Sequence, residues 1–459
     1  MSVAVVLFTS DLRVHDHPPL RAASEAADEV VPVFVRDPAV DRAGFGAPNR
    51  LAFLADCLAD LDGALRARGG RLVVRSGEAV AEVCAVVREA EADEVHMSAG
   101  YTAFAQARQA RLREALEADG RRLYVHDGVT TAVPPGYVLP QGSDHYAVFT
   151  AYYKRWGAEP LRNPLAAPRT VRVPSAVRSE TLPERTAVGG VSPGLARGGE
   201  TEARKRLKSW LPRHGGAYEE LHDDLAGDAT SRLSPHLHFG TLSAVEAVHR
   251  ARTLAGAGPG AAAFVRQLCW RDFYQQVISA RPEASAEDYR TRHDRWRTGK
   301  AAEEDLRAWQ EGRTGYPVVD AAMRQLAHEG WMHNRGRLIT ASFLAKTLYI
   351  DWRAGARHFL GLLVDGDVAN NQLNWQWVAG TGTDTRPNRV LNPVLQGRRY
   401  DPDGTYVRRW VPELAALPGA AVHEPWRLPG LERAAYDYPD PLIALPDGLA
   451  RFRHGRQGD

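Results

Sequence analysis

Residues 365–384, DGDVANNQLNWQWVAGTGTD, set Asp365 and Asp367 beside a run of side-chain amides and two tryptophans, Trp375 and Trp377, within thirteen residues. Carboxylates and amides at that density either keep a loop solvated or surround a polar ligand, and indoles placed among them argue for the ligand. Two further stretches carry matching chemistry. In GDATSRLSPHLHFG (227–240), Thr230, Ser231 and Ser234 precede a helical run that Pro235 is suited to open. An ordinary N-cap explains them, and so does a phosphate site made of hydroxyls and free N–H groups at a helix start. His236 and His238 form an HxH pair with no third ligand at a usable spacing, so no metal is expected. In FVRQLCWRDFYQQV (264–277), Phe264, Leu268, Trp270, Phe273, Tyr274 and Val277 fall at helical spacings, and Arg266, Gln267 and Arg271 share their turns. A core helix accounts for the aromatics. A wall for a flat heterocycle or an extruded base would account for the polar groups as well.

The elements that must position these residues can be read from periodicity. Short β-branched runs at 3–8, 30–35, 71–75, 94–97 and 121–126 alternate with helical patterns, clearest in Leu51, Leu54, Leu58, Leu61 and Leu65 ahead of Gly69. This predicts an α/β domain over residues 1–130, a five-stranded parallel doubly wound sheet with helices on both faces and its ligand site at the carboxyl ends of the strands. Residues 131–200 are expected to be an interdomain linker, proline-rich and irregular from 158, and residues 201–459 a helical domain. Ten of the eleven tryptophans lie beyond residue 200, so aromatic chemistry belongs to the second domain.

Composition narrows the class. With 44% hydrophobic and 25% charged residues the chain is neither disordered nor collagen-like, and 459 residues exceed one ordinary core. No apolar run reaches membrane-spanning length, and MSVAVVLFTSDLRVHDH lacks the features of a signal peptide, so a cytoplasmic location is expected. Cys57, Cys84 and Cys269 form no CxxC and read as reduced buried thiols. A net charge of +2 means that any polyanion site must be a local patch.

Five ordered motifs, LFTSDLRVHDHPPL, SRLSPHLHFG, WRDFY, the long TGYPVVDAAMRQLAHEGWMHNRGRLITASFLAKTLYIDWRAG (314–355) and DGDVANN with WQW, followed by VPEL and HEPW, resemble the DNA photolyase and cryptochrome family over nearly the whole chain. Within it the chain is most similar to class I cyclobutane pyrimidine dimer photolyases of the deazaflavin-antenna branch. The resemblance implies an α/β antenna-binding domain and a helical domain holding FAD in a folded shape. It also implies blue-light repair, in which excited FADH⁻ lends an electron to a pyrimidine dimer flipped out of UV-damaged DNA and the electron returns after the ring opens. Motif by motif, Tyr218, Thr230, Ser231, Arg232, Leu233 and Ser234 would hold the phosphates and ribitol. Arg271, Arg337, Asp365, Gly366 and Asp367 would line the flavin pocket, with Asp365 pairing Arg337. Asn371 falls where the family faces flavin N5, and its neutral amide is the photolyase choice, whereas plant-type cryptochromes carry aspartate there.

By the same resemblance Gln267, Trp270, Arg271, Tyr274, Asn334, Arg335 and Trp377 belong to the lesion pocket, and Arg389, Gln396, Arg398 and Arg399 to the DNA-backbone contacts. Trp375, Trp352 and Trp296 match a relay of tryptophans that reduces photoexcited oxidised flavin, with Trp309 as the alternative outer member. Phe34, Asp37 and Arg50 match a second-chromophore loop. The expected antenna is 8-hydroxy-5-deazaflavin, with 5,10-methenyltetrahydrofolate as second choice because SAGYTAFAQARQ (98–109) lacks the Asn-Glu pair of folate binders. The chain also departs from the family. Gln267 stands where cyclobutane-dimer enzymes usually carry glutamate and is commoner in enzymes for (6-4) photoproducts. Those enzymes use two histidines whose places here hold Asn334 and Leu338, Leu338 also replacing a common methionine, and His222 replaces an arginine of some members. A cyclobutane dimer therefore remains the expected substrate. The alternatives are a (6-4) photolyase and a cryptochrome-type photoreceptor. No membrane and no obligate protein partner are expected, and a monomer suits access to duplex DNA.

Overall fold

The computed structural model describes residues 1–254 and 258–456. Strands β1 (Val3–Phe8), β2 (Glu29–Arg36), β3 (Val73–Ser76), β4 (Glu94–Ser98) and β5 (Arg122–His126) form one parallel sheet in the order β3-β2-β1-β4-β5. β1 is buried along its whole length, as a central strand covered by helices on both faces must be. The predicted leucine face runs along the Pro48–Arg66 helix, and Gly69 beyond it takes a positive φ of 86° that a side chain would resist. Cys57, Cys84 and Cys269 are buried free thiols.

The expected linker divides in two. A Phe149–Ala158 helix lies within it, and Phe149, Tyr152 and Trp156, spaced three and four apart, pack into the helical domain with Phe264, Leu268 and Phe273. Residues 159–184 then run irregularly along the α/β domain, where Val30 N–H donates to the Arg172 carbonyl at 2.7 Å and Glu180 N–H to that of Val74 at 2.9 Å. The domains dock through the loop that follows β1. Leu12 N–H donates to the Phe239 carbonyl at 3.1 Å, and buried Arg13 donates to the carbonyls of Gly240, Asp16 and Val129. Gly240 has φ 65°, and a Cβ there would lie 2.0 Å from the Ser10 carbonyl oxygen, so only glycine permits this approach.

Candidate active site

Two packed helices of the helical domain carry most of the candidate site. The Pro259–Ala280 helix supplies Gln267, Trp270, Arg271 and Tyr274, and the Val368–Ala379 helix supplies Asn371, Trp375 and Trp377. Side chains sew the two together: Tyr274 Oη donates to Asn374 Oδ1 at 3.2 Å and Gln275 Nε2 to Asp367 Oδ2 at 2.9 Å. Asp367 is also the N-cap of its helix, accepting from the Asn370 backbone N–H at 2.7 Å. Its carboxylate is thus a structural hub that joins the two helices.

Asp365 is buried and accepts from Arg337 Nη2 at 2.7 Å, the expected pair, while Arg337 Nε donates to the Met332 carbonyl at 2.9 Å. Asp365 Oδ1 and Thr230 Oγ1 are buried and have no protein partner, two polar atoms that a polar ligand would satisfy. The Ser234–His238 helix opens without a side-chain cap, so its first N–H groups are available to an anion. Ser231 and Ser234 are tied locally: the Ser231 carbonyl accepts from Arg206 Nε at 2.6 Å, and Ser234 Oγ from Trp331 Nε1 at 3.2 Å. Arg232, with φ 50°, pairs with Asp228 and Glu329 and lies over the Trp331 ring at 4.2 Å, whereas Leu233 is buried. Tyr218 is buried edge-on to Trp210 and Phe264, which drives its hydroxyl to stay protonated. Arg271 donates to the Leu237 carbonyl at 3.1 Å and to that of Thr130. Asn371 Nδ2 donates to the Ala356 carbonyl at 3.1 Å, and Gly366 abuts the Arg50 guanidinium.

His238, weighed in the sequence only as a metal ligand, stands among Asp365, Asp367, Arg271 and Arg50; burial holds it down to about 4, a neutral imidazole beside the pocket. Nothing in the HxH spacing could have shown this, because the neighbours come from three distant segments.

At the mouth, Gln267 is exposed and Trp270 half-buried. One face of the Trp270 indole is closed by Phe149, stacked at 3.6 Å and 5°. Phe149 lies in the expected linker, and its helical spacing with Tyr152 and Trp156 is the signal that could have placed it against the helical domain. Asn334 is exposed at the start of the Asn334–Ser342 helix, which His333 caps by accepting from Arg335 N–H at 3.1 Å. Arg335 pairs with Asp223 at 2.5 Å and lies over Tyr400 at 4.3 Å. Trp377 is half-buried under the Arg389 guanidinium, 5.0 Å from the ring centre. Gln396 is half-buried on the Pro393–Tyr400 helix. Arg398 is exposed and ion-paired with Glu424, while Arg399 rests over Tyr400 at 5.2 Å.

Trp375 and Trp352 are buried and Trp296 half-buried, its ring 4.9 Å from Tyr349. Trp375 sits so tightly on the helix of Trp352 that a Cβ at Gly355 would come 2.2 Å from its ring edge. Trp352 Nε1 donates to Asp288 Oδ1 at 2.8 Å. Trp309 is wholly buried, 6.0 Å from Trp375, with its indole N–H on the Thr340 carbonyl.

The antenna residues are not gathered as expected. Phe34 is half-buried at the end of β2, and Asp37 caps two helix starts, accepting from Ala39 N–H at 2.8 Å and Ala79 N–H at 3.2 Å. Arg50 turns the other way. Its guanidinium donates to the carbonyls of Phe45, Gly44, Leu360 and Leu363, which fastens the α/β domain to the segment just before Asp365.

A doubly wound domain is thus docked on helices that carry a buried acid–guanidinium pair, unpartnered buried polar atoms and an uncapped helix start, features fit to hold a polar ligand. Residues 4–170 match the DNA photolyase family and residues 264–455 the FAD binding domain of DNA photolyase. The deoxyribodipyrimidine photo-lyase of Streptomyces griseus is 65% identical over 457 residues, 99% of each chain. An archaeal photolyase from Sulfolobus tokodaii with two FAD molecules, reported as implying a novel light-harvesting cofactor, superposes with TM-score 0.87 at 30% identity over 100% of both chains. A cryptochrome from Synechocystis superposes with TM-score 0.92 at 29% identity over 99% of both. The chain belongs to the DNA photolyase family.

Proposed function

We propose that the chain is a light-dependent deoxyribodipyrimidine photo-lyase that splits cyclobutane pyrimidine dimers in UV-damaged DNA. The observation that carries this is the pairing of the Pro259–Ala280 and Val368–Ala379 helices through Tyr274–Asn374 and Gln275–Asp367, so that lesion-facing and flavin-facing residues share one rigid unit. Reduced FAD, when bound, would supply the photoexcited electron that opens the dimer and would take it back. Thr230, the start of the Ser234–His238 helix, Arg271, Asp365 and Asp367 would hold it. Asn371 would present an amide rather than an acid to the flavin ring. Trp270, backed by Phe149, leaves one indole face for a flipped dimer, and Trp377 with Arg389 forms the opposite side. Gln267 and Asn334 would hydrogen-bond the bases, and Arg335, Arg389, Gln396 and Arg399 would approach the DNA strand.

A (6-4) photolyase needs an acid that protonates its lesion. His333, the histidine next to Asn334, is held down to about 4 by burial and is a neutral cap rather than a donor. Trp375, Trp352 and Trp296 form the relay, running from buried to half-buried; Trp309, wholly buried, does not suit the outer end. For the antenna we retain 8-hydroxy-5-deazaflavin, with Phe34 and Asp37 near it and Arg50 acting instead between the domains; 5,10-methenyltetrahydrofolate is the second choice. The experiment is blue-light illumination of dithionite-reduced, FAD-loaded protein with oligonucleotides carrying either lesion. Restored pyrimidines from the cyclobutane substrate alone are expected; repair of only the (6-4) lesion, or of neither, overturns the reading.

A further inference from the structure

Lys346 is a buried lysine with no carboxylate partner among the described residues, an arrangement that costs desolvation energy and calls for a reason. It lies in a π-helical turn, Phe343–Thr347, at the end of the helix that begins with Asn334. Such turns recur at functional sites. The ammonium donates to the carbonyls of Pro387 and Arg389, both at 2.7 Å, and lies 5.4 Å from the Phe452 ring centre. One turn earlier, Ser342 Oγ accepts from Leu391 N–H at 3.1 Å. Arg456 completes the clasp from the Leu445–Arg456 helix, donating to the Pro387 carbonyl at 3.2 Å, while Asp294 anchors that guanidinium at 2.7 Å. The loop held in this way is the one that places Arg389 over Trp377.

We propose that Lys346 is a positioning residue that fixes the Pro387–Arg389 loop, and with it Arg389, for contact with the DNA strand bearing the lesion. The inference rests on the reading of Arg389 as a DNA contact. It also gives the contact a dependence on pH. Burial first and then Arg456 push the lysine down to about 7, opposed by Asp384 and Asp294, with Arg389 adding to the repulsion. Below that pH the ammonium makes charge-assisted hydrogen bonds to both carbonyls; above it a neutral amine makes weaker ones. Affinity for DNA therefore falls as the pH rises through neutrality.

The test measures binding of a duplex oligonucleotide carrying a thymine dimer to FAD-loaded wild type, Lys346→Met, Lys346→Arg, Arg389→Ala and the Met/Ala double variant, at pH 6.5 and 8.5, with flavin content and Tm as controls. Lys346→Met is expected to weaken binding about tenfold, in the range of a lost charge-assisted contact. The double variant should be no weaker than Arg389→Ala alone, and Lys346→Arg should lose the wild-type decline in affinity between the two pH values. Additive losses, as a merely structural lysine would give, overturn the inference, as does wild-type binding by Lys346→Met. Unchanged binding by Arg389→Ala overturns the DNA-contact reading itself and this inference with it. If Lys346→Met loses its flavin, the pH arm on Lys346→Arg decides.

Discussion

Gln267 is where the proposed lesion site departs most from the family pattern, and its exposure leaves its carboxamide free to donate to a base carbonyl. Gln267→Ala should weaken binding of dimer-containing DNA by roughly 1–3 kcal/mol, the cost of stranding a desolvated partner; unchanged affinity removes it from the site. Arg398 and Arg399 separate in the same kind of assay. Because Glu424 already neutralises Arg398, replacing both should flatten the salt dependence of binding by about one phosphate rather than two. A change of two would show that the Glu424 pair opens on DNA. Such partnerships mark the limit of what residues reveal in sequence. The Arg337–Asp365 pair was legible because a guanidinium and a carboxylate in a shared pocket require each other. The occupation of Arg398 by Glu424, or of Arg50 by four backbone carbonyls, depends on contacts spanning up to 313 positions, which no local spacing encodes.

Periodicity served best for elements with one dominant period. The five strands appear within two residues of their expected bounds because buried parallel strands read as unbroken β-branched runs. The Phe149–Ala158 helix was lost in the linker because ten residues bury only three side chains, too short a pattern to stand out among prolines and glycines. Its packing is secured by Asp272, buried on the Pro259–Ala280 helix, whose Oδ2 accepts from Ala132 N–H, Val133 N–H and Trp156 Nε1 at 2.9, 3.0 and 3.0 Å. Asp272→Ala would leave three buried donors without a partner and should cost roughly 3 kcal/mol or more, read as a lowered denaturation midpoint. Burial pushes this carboxyl up to about 6 from an ordinary 3.8, with Arg271 pulling the other way. The folded protein then binds the proton more tightly than the unfolded chain, so the group's contribution to stability rises as pH falls from about 6 toward 4. Asp272→Asn should flatten the pH–stability profile in that interval; a profile identical to wild type would show that Asp272 stays ionised throughout.

At the scale of the whole molecule, the docking of the two domains and the proposed tryptophan relay are the features built from the most distant parts of the chain. Trp375, Trp352 and Trp296 come from the Val368–Ala379 helix, the Trp352–Leu362 helix and the segment 284–299, which Gln376 holds by accepting from Tyr289 N–H at 2.7 Å and donating to the carbonyls of Ala284 and Glu287. The WQW triplet thereby divides its work: the first indole packs inward, the glutamine fixes the segment that carries Asp288 against Trp352, and the second indole lies half-buried under Arg389. If the relay starts at Trp375, Trp375→Phe should abolish reduction of bound FAD under steady blue light, since phenylalanine keeps most of the volume but is far harder to oxidise. Repair by protein reduced beforehand with dithionite should persist, because there the electron leaves and returns without crossing the protein. The ring also fills the space over Gly355 beside Phe359, so some loss of stability is expected, on the order of 1 kcal/mol for a modest cavity. Flavin content measured alongside separates that loss from the electronic effect. Normal photoreduction in the variant would send the electron by another route, with Trp309, 6.0 Å from Trp375, the nearest alternative donor in this cluster. Loss of repair after chemical reduction, with FAD still bound, would instead place Trp375 in the lesion site.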